Sequence, residues 1–346
     1  MFLSFDIKNF RSFRSVELSN LSRINVFFGK NNCGKTSLLE SLLLLSGMTS
    51  PDLLLKCNFT RNFKYIKDFS FFFHNFDLQK SIMLESKAKE KLFERSLTIS
   101  YEESNPGKVV RFNDAINLYP TINSNIYNSS LVFSSNLQGE SFFSKITLKT
   151  QPQGEKISIT HPKNYKEGLN CIYLASRYLY EAVPSVVSSL FLEKQEKLIT
   201  NAIQLIDSRI KDFIISNNEI MVDIGLKNRI PLNFLGDGVR KFFSIIVSLY
   251  NSQNGILLID EIDNGLHYSV MSKLWKIIIE ISALFNVQVF ATTHNIDSLK
   301  GLDMVINDES DVSLYKIVKK NDGETSTLYY DAQSFKCMIN SETEIR

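Results

Sequence analysis

The sequence predicts an α/β fold with a mixed sheet, an inserted β-rich lobe and a helical segment. One observation is a strand–loop–helix unit over residues 24–45. A second is the alternation of helices and apolar strands over residues 238–292. A third is the stretch 51–164, where short β-prone runs are separated by turn residues. We therefore expect four parts: an N-terminal core part at 1–48, a β-rich insertion at 49–175, a helical segment at 176–218 and a C-terminal core part at 219–346.

The N-terminal part begins with three predicted strands and one helix. Apolar and polar residues alternate around Phe5 and around Val16, and residues 24–28 form a mainly apolar run. The leucines at 36–45 predict a helix. We expect Gly47 to end it in a left-handed C-cap, because glycine lacks a Cβ.

Apolar spacing predicts the remaining elements. In the helical segment, apolar residues three and four positions apart predict one amphipathic helix over residues 198–214. In the C-terminal part we expect, in chain order, a helix after Gly238, a strand at 256–259, a helix at 269–283, a strand at 287–292 and a hairpin of strands at 312–318 and 325–330.

The composition excludes several classes of protein. With 44% hydrophobic and 22% charged residues, the chain is neither disordered nor collagen-like, and its net charge of +2 predicts no general attraction to nucleic acid or anionic lipid. The four cysteines form no CxxC pair, so we expect no zinc site, no disulfide framework and a reducing cytoplasm. The apolar stretch 38–48 is shorter than the roughly 18 to 20 residues that span a bilayer, so we expect no membrane role.

A phosphate-binding motif lies at residues 29–36, which fit the pattern G-x-x-x-x-G-K-[ST] between a predicted strand and a predicted helix. In such a loop, backbone N–H groups and the helix N-terminus face the phosphates of ATP, the lysine reaches the β- and γ-phosphates, and the hydroxyl ligates Mg²⁺. The candidate ATP-binding residues are Gly29, Asn31, Asn32, Gly34, Lys35, Thr36 and Ser37. Thr36 is also a candidate magnesium ligand. The alternative is a glycine-rich turn with an incidental lysine.

Two acidic residues follow the predicted strand at 256–259. Asp260 and Glu261 stand at its C-terminal end, the edge at which open α/β sheets bind ligands. Asp260 is a candidate magnesium ligand, and Glu261 is a candidate catalytic base that polarises the attacking water. The alternative is a carboxylate pair that caps a helix.

Two further features accompany these motifs. His294 follows the next predicted strand, where an imidazole can hydrogen-bond the γ-phosphate or the water, and a structural histidine is the alternative. Gly236 and Gly238 stand at a predicted helix start, which suits anion binding through backbone amides, and a plain turn is the alternative.

The order of these motifs resembles the ATP-binding-cassette (ABC) ATPases, in the branch that includes SMC proteins, RecF and the OLD family. Three stretches resemble OLD-like AAA family ATPases of bacteria: Leu-Gly-Asp-Gly-Val-Arg-Lys at 235–241, Leu-Leu-Ile-Asp-Glu-Ile-Asp-Asn-Gly-Leu-His-Tyr-Ser-Val at 257–270, and Val-Gln-Val-Phe-Ala-Thr-Thr-His-Asn at 287–295. The resemblance covers 1–48 and 225–346 and implies the ABC-type P-loop ATPase head.

The resemblance implies a head-to-tail homodimer with two composite ATP sites, in which residues 236–239 of one copy close over ATP bound by Lys35 and Thr36 of the other. It further implies specific roles for four features: Glu261 is the base, Asp260 binds magnesium, His294 is the switch histidine, and the loop 263–267 faces the dimer partner. Asn9-Phe10-Arg11 matches an N-terminal signature of SMC-like heads, which implies that Arg11 approaches the nucleotide.

The sequence departs from the cassette pattern in two places. The signature position has Leu-Gly-Asp-Gly-Val in place of Leu-Ser-Gly-Gly-Gln, so the serine contact to the γ-phosphate is missing and Asp237 adds a negative charge. Arg240 or Lys241 is expected to offset that charge, and Arg240 is a candidate nucleotide-binding residue. A glutamine loop is not evident, although Ser176-Arg177 stands where an active-site contact is expected.

The resemblance implies a function as well as a fold. OLD proteins continue into a Toprim nuclease domain, for which the 52 residues after His294 are too few, so we expect a stand-alone ATPase. Its slow or regulated turnover would gate or scaffold a separate effector, such as a Toprim-type nuclease, in anti-phage defence. The alternative is a DNA-binding ATPase of repair or chromosome maintenance that resembles RecF and SMC. A transport ATPase and a protein that binds ATP without hydrolysis rank lower.

Overall fold

The computed structural model describes residues 1–61, 68–104, 128–151, 154–175, 184–320 and 323–340. Its helices are α1 (Lys35–Ser46), α2 (Asp52–Thr60), α3 (Pro184–Leu192), α4 (Glu196–Gln204), α5 (Asp237–Asn251), α6 (Met271–Leu284), α7 (Ile296–Asp303) and α8 (Ala332–Asn340). Its strands are β1 (Phe2–Phe10), β2 (Phe13–Leu18), β3 (Ile24–Phe28), β4 (Ile82–Ala88), β5 (Arg95–Ser104), β6 (Asn128–Leu137), β7 (Glu140–Gln151), β8 (Gly154–Thr160), β9 (Cys171–Leu174), β10 (Asp212–Ser216), β11 (Glu219–Asp223), β12 (Ile230–Pro231), β13 (Ile256–Ile259), β14 (Gln288–Thr293), β15 (Val312–Lys319) and β16 (Thr325–Tyr330).

A six-stranded sheet in the order β16-β15-β3-β14-β13-β9 forms the core. Neighbouring strands from β15 to β9 are parallel, and β16 is antiparallel to β15, so the predicted α/β fold with a mixed sheet is confirmed. Side chains of β13 alternate between two cores. Leu257 and Ile259 pack with α5 and α6, whereas Ile256 and Leu258 pack with α1 and the second sheet. Burial on both faces explains the apolar run.

The second sheet is antiparallel and runs β2-β1-β4-β5-β6-β7-β8. Its strands β4 to β8 come from the stretch that we expected as a β-rich insertion at 49–175. They extend the N-terminal hairpin, because β4 pairs with β1 at Ile7↔Leu84. Strand β9, which we also counted with the insertion, instead lies beside β13 in the core sheet, at Leu258↔Tyr173.

The predicted helix over 198–214 is wrong in its second half. Helix α4 ends at Gln204, and the Asp207 side chain then accepts a hydrogen bond from the backbone N–H of Arg209 at 3.1 Å, which closes a turn. Phe213 lies in β10, opposite Val222 of β11, and its ring packs against Phe243. The helical segment at 176–218 therefore contains α3, α4 and one strand of a sheet ordered β10-β11-β12.

The structure also tests the predicted C-cap at Gly47 and the predicted C-terminal hairpin. Gly47 ends α1 as expected, but its φ is −114°, so the left-handed C-cap is wrong. A Cβ there would lie 2.4 Å from Cδ1 of Leu53, so the leucine side chain would have to shift to make room for it. The hairpin of β15 and β16 forms as predicted, with Lys319 opposite Thr325, and its turn residues 321 and 322 lie outside the described residues. Across the described ranges, no helix combines the length and apolarity that a membrane span requires.

Candidate active site

The phosphate-binding motif forms the connection from β3 to α1. Gly29 and Gly34 have φ angles of +149° and +105°, which residues with a Cβ rarely adopt. Space requires glycine too, since a Cβ on Gly29 would lie 2.4 Å from the carbonyl oxygen of Ile317 in β15, and one on Gly34 would lie 2.6 Å from Oγ of Ser12. The loop therefore lies tightly between β15 and the turn that follows β1. Asn31 and Asn32 are exposed on this loop, and Asn32 has a φ of 62°.

Lys35 lies inside the curl of the loop. Its side chain is buried, and Nζ donates hydrogen bonds to the carbonyl oxygens of Gly29 and Lys30, both at 2.8 Å. Helix α1 begins at this lysine, and its first turn contains no acidic residue. Unpaired N–H groups at a helix start and a buried ammonium form a site for an anion.

Asp260 lies at the end of β13 and is bound by two hydroxyls. Thr36 donates to its carboxylate at 3.0 Å, and Thr292 of β14 donates to it at 2.6 Å. Asp260 is only 5% exposed, and this burial raises the pKa of its carboxyl although both hydrogen bonds lower it. Carboxylate and hydroxyl oxygens are the ligands that Mg²⁺ prefers, and a divalent cation would offset the burial of the charge. The pair Thr36 and Asp260 therefore fits magnesium.

Glu261 follows Asp260 in a left-handed backbone conformation, with a φ of 51°. Its backbone N–H donates to Oγ1 of Thr292 at 2.8 Å, and the N–H of Ile262 donates to the carbonyl oxygen of Thr292 at 2.9 Å. Thr292 thus holds both acidic residues through its side chain. A non-glycine residue with this φ is strained, and such strain is concentrated at functional sites.

His294 lies at the same edge of the sheet, directly after β14. Its Nδ1 is 3.7 Å from Oδ2 of Asp263, and its side chain is 42% exposed, whereas that of Asp263 is buried. The structure therefore places the histidine beside the turn that carries Glu261, within reach of solvent and of a ligand.

The glycines of the signature stand at the start of α5. Gly236 is the N-cap residue, and a Cβ on it would meet no atom within 4 Å. Gly238 lies beside the loop after β13, since a Cβ there would be 3.6 Å from Cδ2 of Leu266. Asp237 forms an ion pair with Arg240. Arg240 is thus the residue that offsets the charge of Asp237, while the side chain of Lys241 is fully buried.

Arg11 makes contacts away from the phosphate-binding loop. Its Nε is 3.0 Å from Oε2 of Glu40, and its Nη2 donates to Oδ1 of Asn58 at 3.2 Å. Arg61 binds the same carboxylate and also donates to Oγ of Ser37 at 3.1 Å. Both arginines therefore support α1 from the side of Glu40, which is fully buried within the helix.

Sequence reasoning did not assign Thr292 to this site, and it assigned Lys241 to the charge of Asp237 and not to the turn after β13. Thr292, the hydroxyl that binds Asp260, was visible only as a polar residue at the end of an apolar strand. Lys241 donates to the carbonyl oxygens of Glu261 at 2.8 Å and Asn264 at 2.5 Å. The sequence indication of its burial was that Lys241 directly precedes two apolar residues, Phe242 and Phe243. Ser176 and Arg177, the candidates for a glutamine-loop contact, lie outside the described residues.

Residues 24–299 match the family described as "AAA domain, putative AbiEii toxin, Type IV TA system". The chain belongs to this family. AAA domains are ATPase domains, so its general activity is the hydrolysis of ATP.

Individual proteins show further likenesses. An ATP/GTP phosphatase of Helicobacter pylori is 24% identical over an alignment of 347 positions that covers 89% of each protein. The DNA replication and repair protein RecF of Geotalea uraniireducens is 50% identical over 42 residues, 12% of each protein. Among solved structures, an SMC head bound to the C-winged helix domain of ScpA has a TM-score of 0.49 at 11% identity and covers 95% of this chain and 97% of its own. An SMC head with an extended coiled coil, bound to the C-terminal domain of ScpA derived from Pyrococcus furiosus, has a TM-score of 0.48 at 11% identity over 98% of both chains. Because both TM-scores are below 0.5, the fold is assigned from the strand order and direction of the two large sheets.

Proposed function

We propose that this chain is an ABC-type ATPase that hydrolyses ATP between two copies of itself and thereby gates a separate effector protein. One observation carries the proposal. Thr36 of the phosphate-binding loop and Thr292 of β14 both bind Asp260, and Glu261 follows directly, so groups for phosphate, magnesium and water meet at one edge of the sheet. The Helicobacter pylori relative, an ATP/GTP phosphatase, supports a nucleotide as the substrate.

We infer a role in ATP hydrolysis for each of these groups. Lys35 and the N–H groups of the loop bind the β- and γ-phosphates. Thr36 and Asp260 would hold Mg²⁺, which when bound neutralises charge that develops on the phosphate oxygens. Glu261 accepts the proton of the attacking water, and His294, oriented by Asp263, donates a hydrogen bond to the γ-phosphate. Gly29, Asn31, Asn32 and Gly34 shape the loop.

A second copy would complete the site. The surface around the start of α5 is open, since Phe234 is 79% exposed and the side chain of Asp237 is 62% exposed. An exposed aromatic residue beside a helix N-terminus suits a contact with another chain that brings negatively charged phosphates. In a head-to-tail homodimer, Gly236, Gly238 and Arg240 of one copy would cover ATP on the other.

The output of the ATPase cycle concerns a separate partner molecule. We infer slow, regulated turnover in the cytoplasm that gates or scaffolds an effector, for which a Toprim-type nuclease of anti-phage defence is the first candidate. The second candidate is a DNA-binding ATPase of repair or chromosome maintenance, which the RecF likeness over 42 residues favours. The net charge of +2 does not favour DNA as the general partner.

Purification of Glu261→Gln from its own host with ATP and Mg²⁺, followed by native mass spectrometry, tests both the composite ATP site and the separate effector. The expected species is an ATP-bound dimer or a larger assembly that carries a second protein. A dimer that carries nucleic acid would favour the repair candidate. Lys35→Ala is the matched control, and we expect it to lose ATP binding. An ATP-free monomer of Glu261→Gln would contradict the composite site, and normal hydrolysis in Glu261→Gln would remove the base.

A further inference from the structure

Lys241 is a lysine with no exposed surface inside an otherwise apolar part of α5. Its neighbours Phe242 and Phe243 are buried as well. Burial of an ammonium group is unfavourable unless hydrogen bonds and opposite charges compensate for the lost water. Its compensation comes from the turn after β13, because Nζ donates to the carbonyl oxygens of Glu261 at 2.8 Å and Asn264 at 2.5 Å.

Among the described residues, the carboxylates that act on Lys241 come from the end of β13 and the turn after it. Burial lowers the pKa of Lys241 to about 8, and the carboxylates of Asp263, Glu261 and Asp260 act in the opposite direction, in that order of strength. The lysine is therefore mainly charged at neutral pH, and it joins a helix to an acidic turn that lies on another element of the fold.

The contact with Glu261 is to the peptide group that sets the direction of its side chain. Thr292 accepts the N–H of Glu261 at 2.8 Å and the N–H of Ile262 at 2.9 Å. Lys241 and the N–H of Asn264 bind the carbonyl oxygen of Glu261, at 2.8 and 3.0 Å. The peptide that follows Glu261 is thus held at both ends, in a backbone conformation with a φ of 51° that is costly without such contacts.

We propose that Lys241 is a positioning residue for ATP hydrolysis, which orients the carboxylate of Glu261 by binding the carbonyl oxygens of residues 261 and 264. The inference rests on the proposed role of Glu261 as the base. Lys241 makes these contacts from α5, the helix whose first residues would cover ATP on a second copy. The lysine therefore connects the base to the helix that forms the proposed interface.

Steady-state ATP hydrolysis by Lys241→Met, with ATP binding measured separately, tests this role. We expect kcat to fall about 10- to 100-fold, because a displaced base reduces catalysis steeply, while KM and ATP affinity stay within about twofold. Lys241→Arg keeps a cation with N–H donors and should recover part of kcat. Hydrogen exchange should become faster at the amides of residues 261–264 and stay unchanged at residues 29–36.

Lys273→Met is the matched control, since Lys273 also donates to a carbonyl oxygen, that of Leu205 at 2.9 Å, but at the surface. We expect it to leave kcat unchanged. If Lys241→Met does not fold, Lys241→Gln replaces it. A folded variant with wild-type kcat would overturn the proposal. A fall in kcat and ATP affinity in proportion to the fraction of folded protein would overturn it too. Glu261→Gln separates the proposed role of Glu261 as the base from the proposed role of Lys241. If Glu261→Gln is active, Glu261 is not the base. If Glu261→Gln is inactive and Lys241→Met is fully active, only the positioning role of Lys241 is refuted.

Discussion

Raising the pH should stabilise the wild-type protein relative to Lys241→Met. Methionine has a similar length and no charge, so the pair differs mainly in the cost of burying one ammonium group. The pKa of Lys241 is lowered by burial from its ordinary 10.5 to about 8. Below pH 8 the folded wild-type protein bears that cost in full, and as the pH rises through 8 the lysine loses its proton and the cost is relieved.

The sign and size follow from proton linkage. Between pH 8 and pH 10.5 the unfolded chain still binds a proton that the folded chain has lost, so the free energy of unfolding rises with pH. One pKa unit corresponds to about 1.36 kcal/mol, so the full relief is about 3 kcal/mol. Because Lys241 is half-protonated at its own pKa and the unfolded lysine begins to titrate near the upper limit, about 2 kcal/mol of the relief falls between pH 8 and pH 10.

Urea unfolding of both proteins at several pH values from 7 to 10 measures this difference. Other groups that titrate in this range are common to both proteins and cancel when the two free energies of unfolding are subtracted. The exposed variant Lys273→Met should follow the wild-type protein throughout. Parallel curves for wild type and Lys241→Met from pH 8 to pH 10 would refute the reasoning, since they would mean that the lysine is not a buried cation.

Three further predictions concern the same region. Thr292→Val removes the hydrogen bonds to Asp260 and to the Glu261 N–H, so we expect a loss of about 1–3 kcal/mol in urea unfolding and a lower kcat, and unchanged values of both would contradict the role of this hydroxyl. Gly34→Ala places a Cβ 2.6 Å from Oγ of Ser12 at a φ of +105°, so ATP affinity measured by calorimetry should fall strongly, and wild-type affinity would show that the loop tolerates a Cβ. Glu40→Gln leaves Arg11 and Arg61 without their carboxylate and should cost about 3–5 kcal/mol in thermal or urea unfolding, whereas a cost near zero would mean that the arginines find other partners.

The parts of the site that the sequence predicted are those with local signals. The glycines at 29 and 34 indicate their backbone conformations directly, and an apolar run before Asp260 indicates a buried strand that ends at two carboxylates. The parallel order of β3, β14 and β13 then brings Thr36 to Asp260, although 224 positions separate them in the chain.

The sequence predictions that were wrong or incomplete concern contacts between distant segments of the chain. Nothing near Leu84 indicates that β4 pairs with β1, because the alternation of apolar residues specifies a strand and not its neighbour. The apolar spacing at 198–214 fits a helix, but the turn at Asp207 and the pairing of β10 with β11 decide the structure of its second half. Lys241 was expected only as a possible partner for the charge of Asp237, since the carbonyl groups that it binds come from a distant segment of the chain.

The close approach of Gly29 to Ile317 bears on the shortest working length of this protein. The family match ends at residue 299, and a chain cut there would retain all the ATP-binding and hydrolysis motifs discussed above. It would lack β15, which pairs with β3 and lies against the phosphate-binding loop. Strand β3, which lies inside the six-stranded sheet, would then become an edge strand. Its unpaired N–H and C=O groups would promote aggregation. Such a truncated chain should be insoluble, so a complete set of motifs is not the same as a complete folding unit.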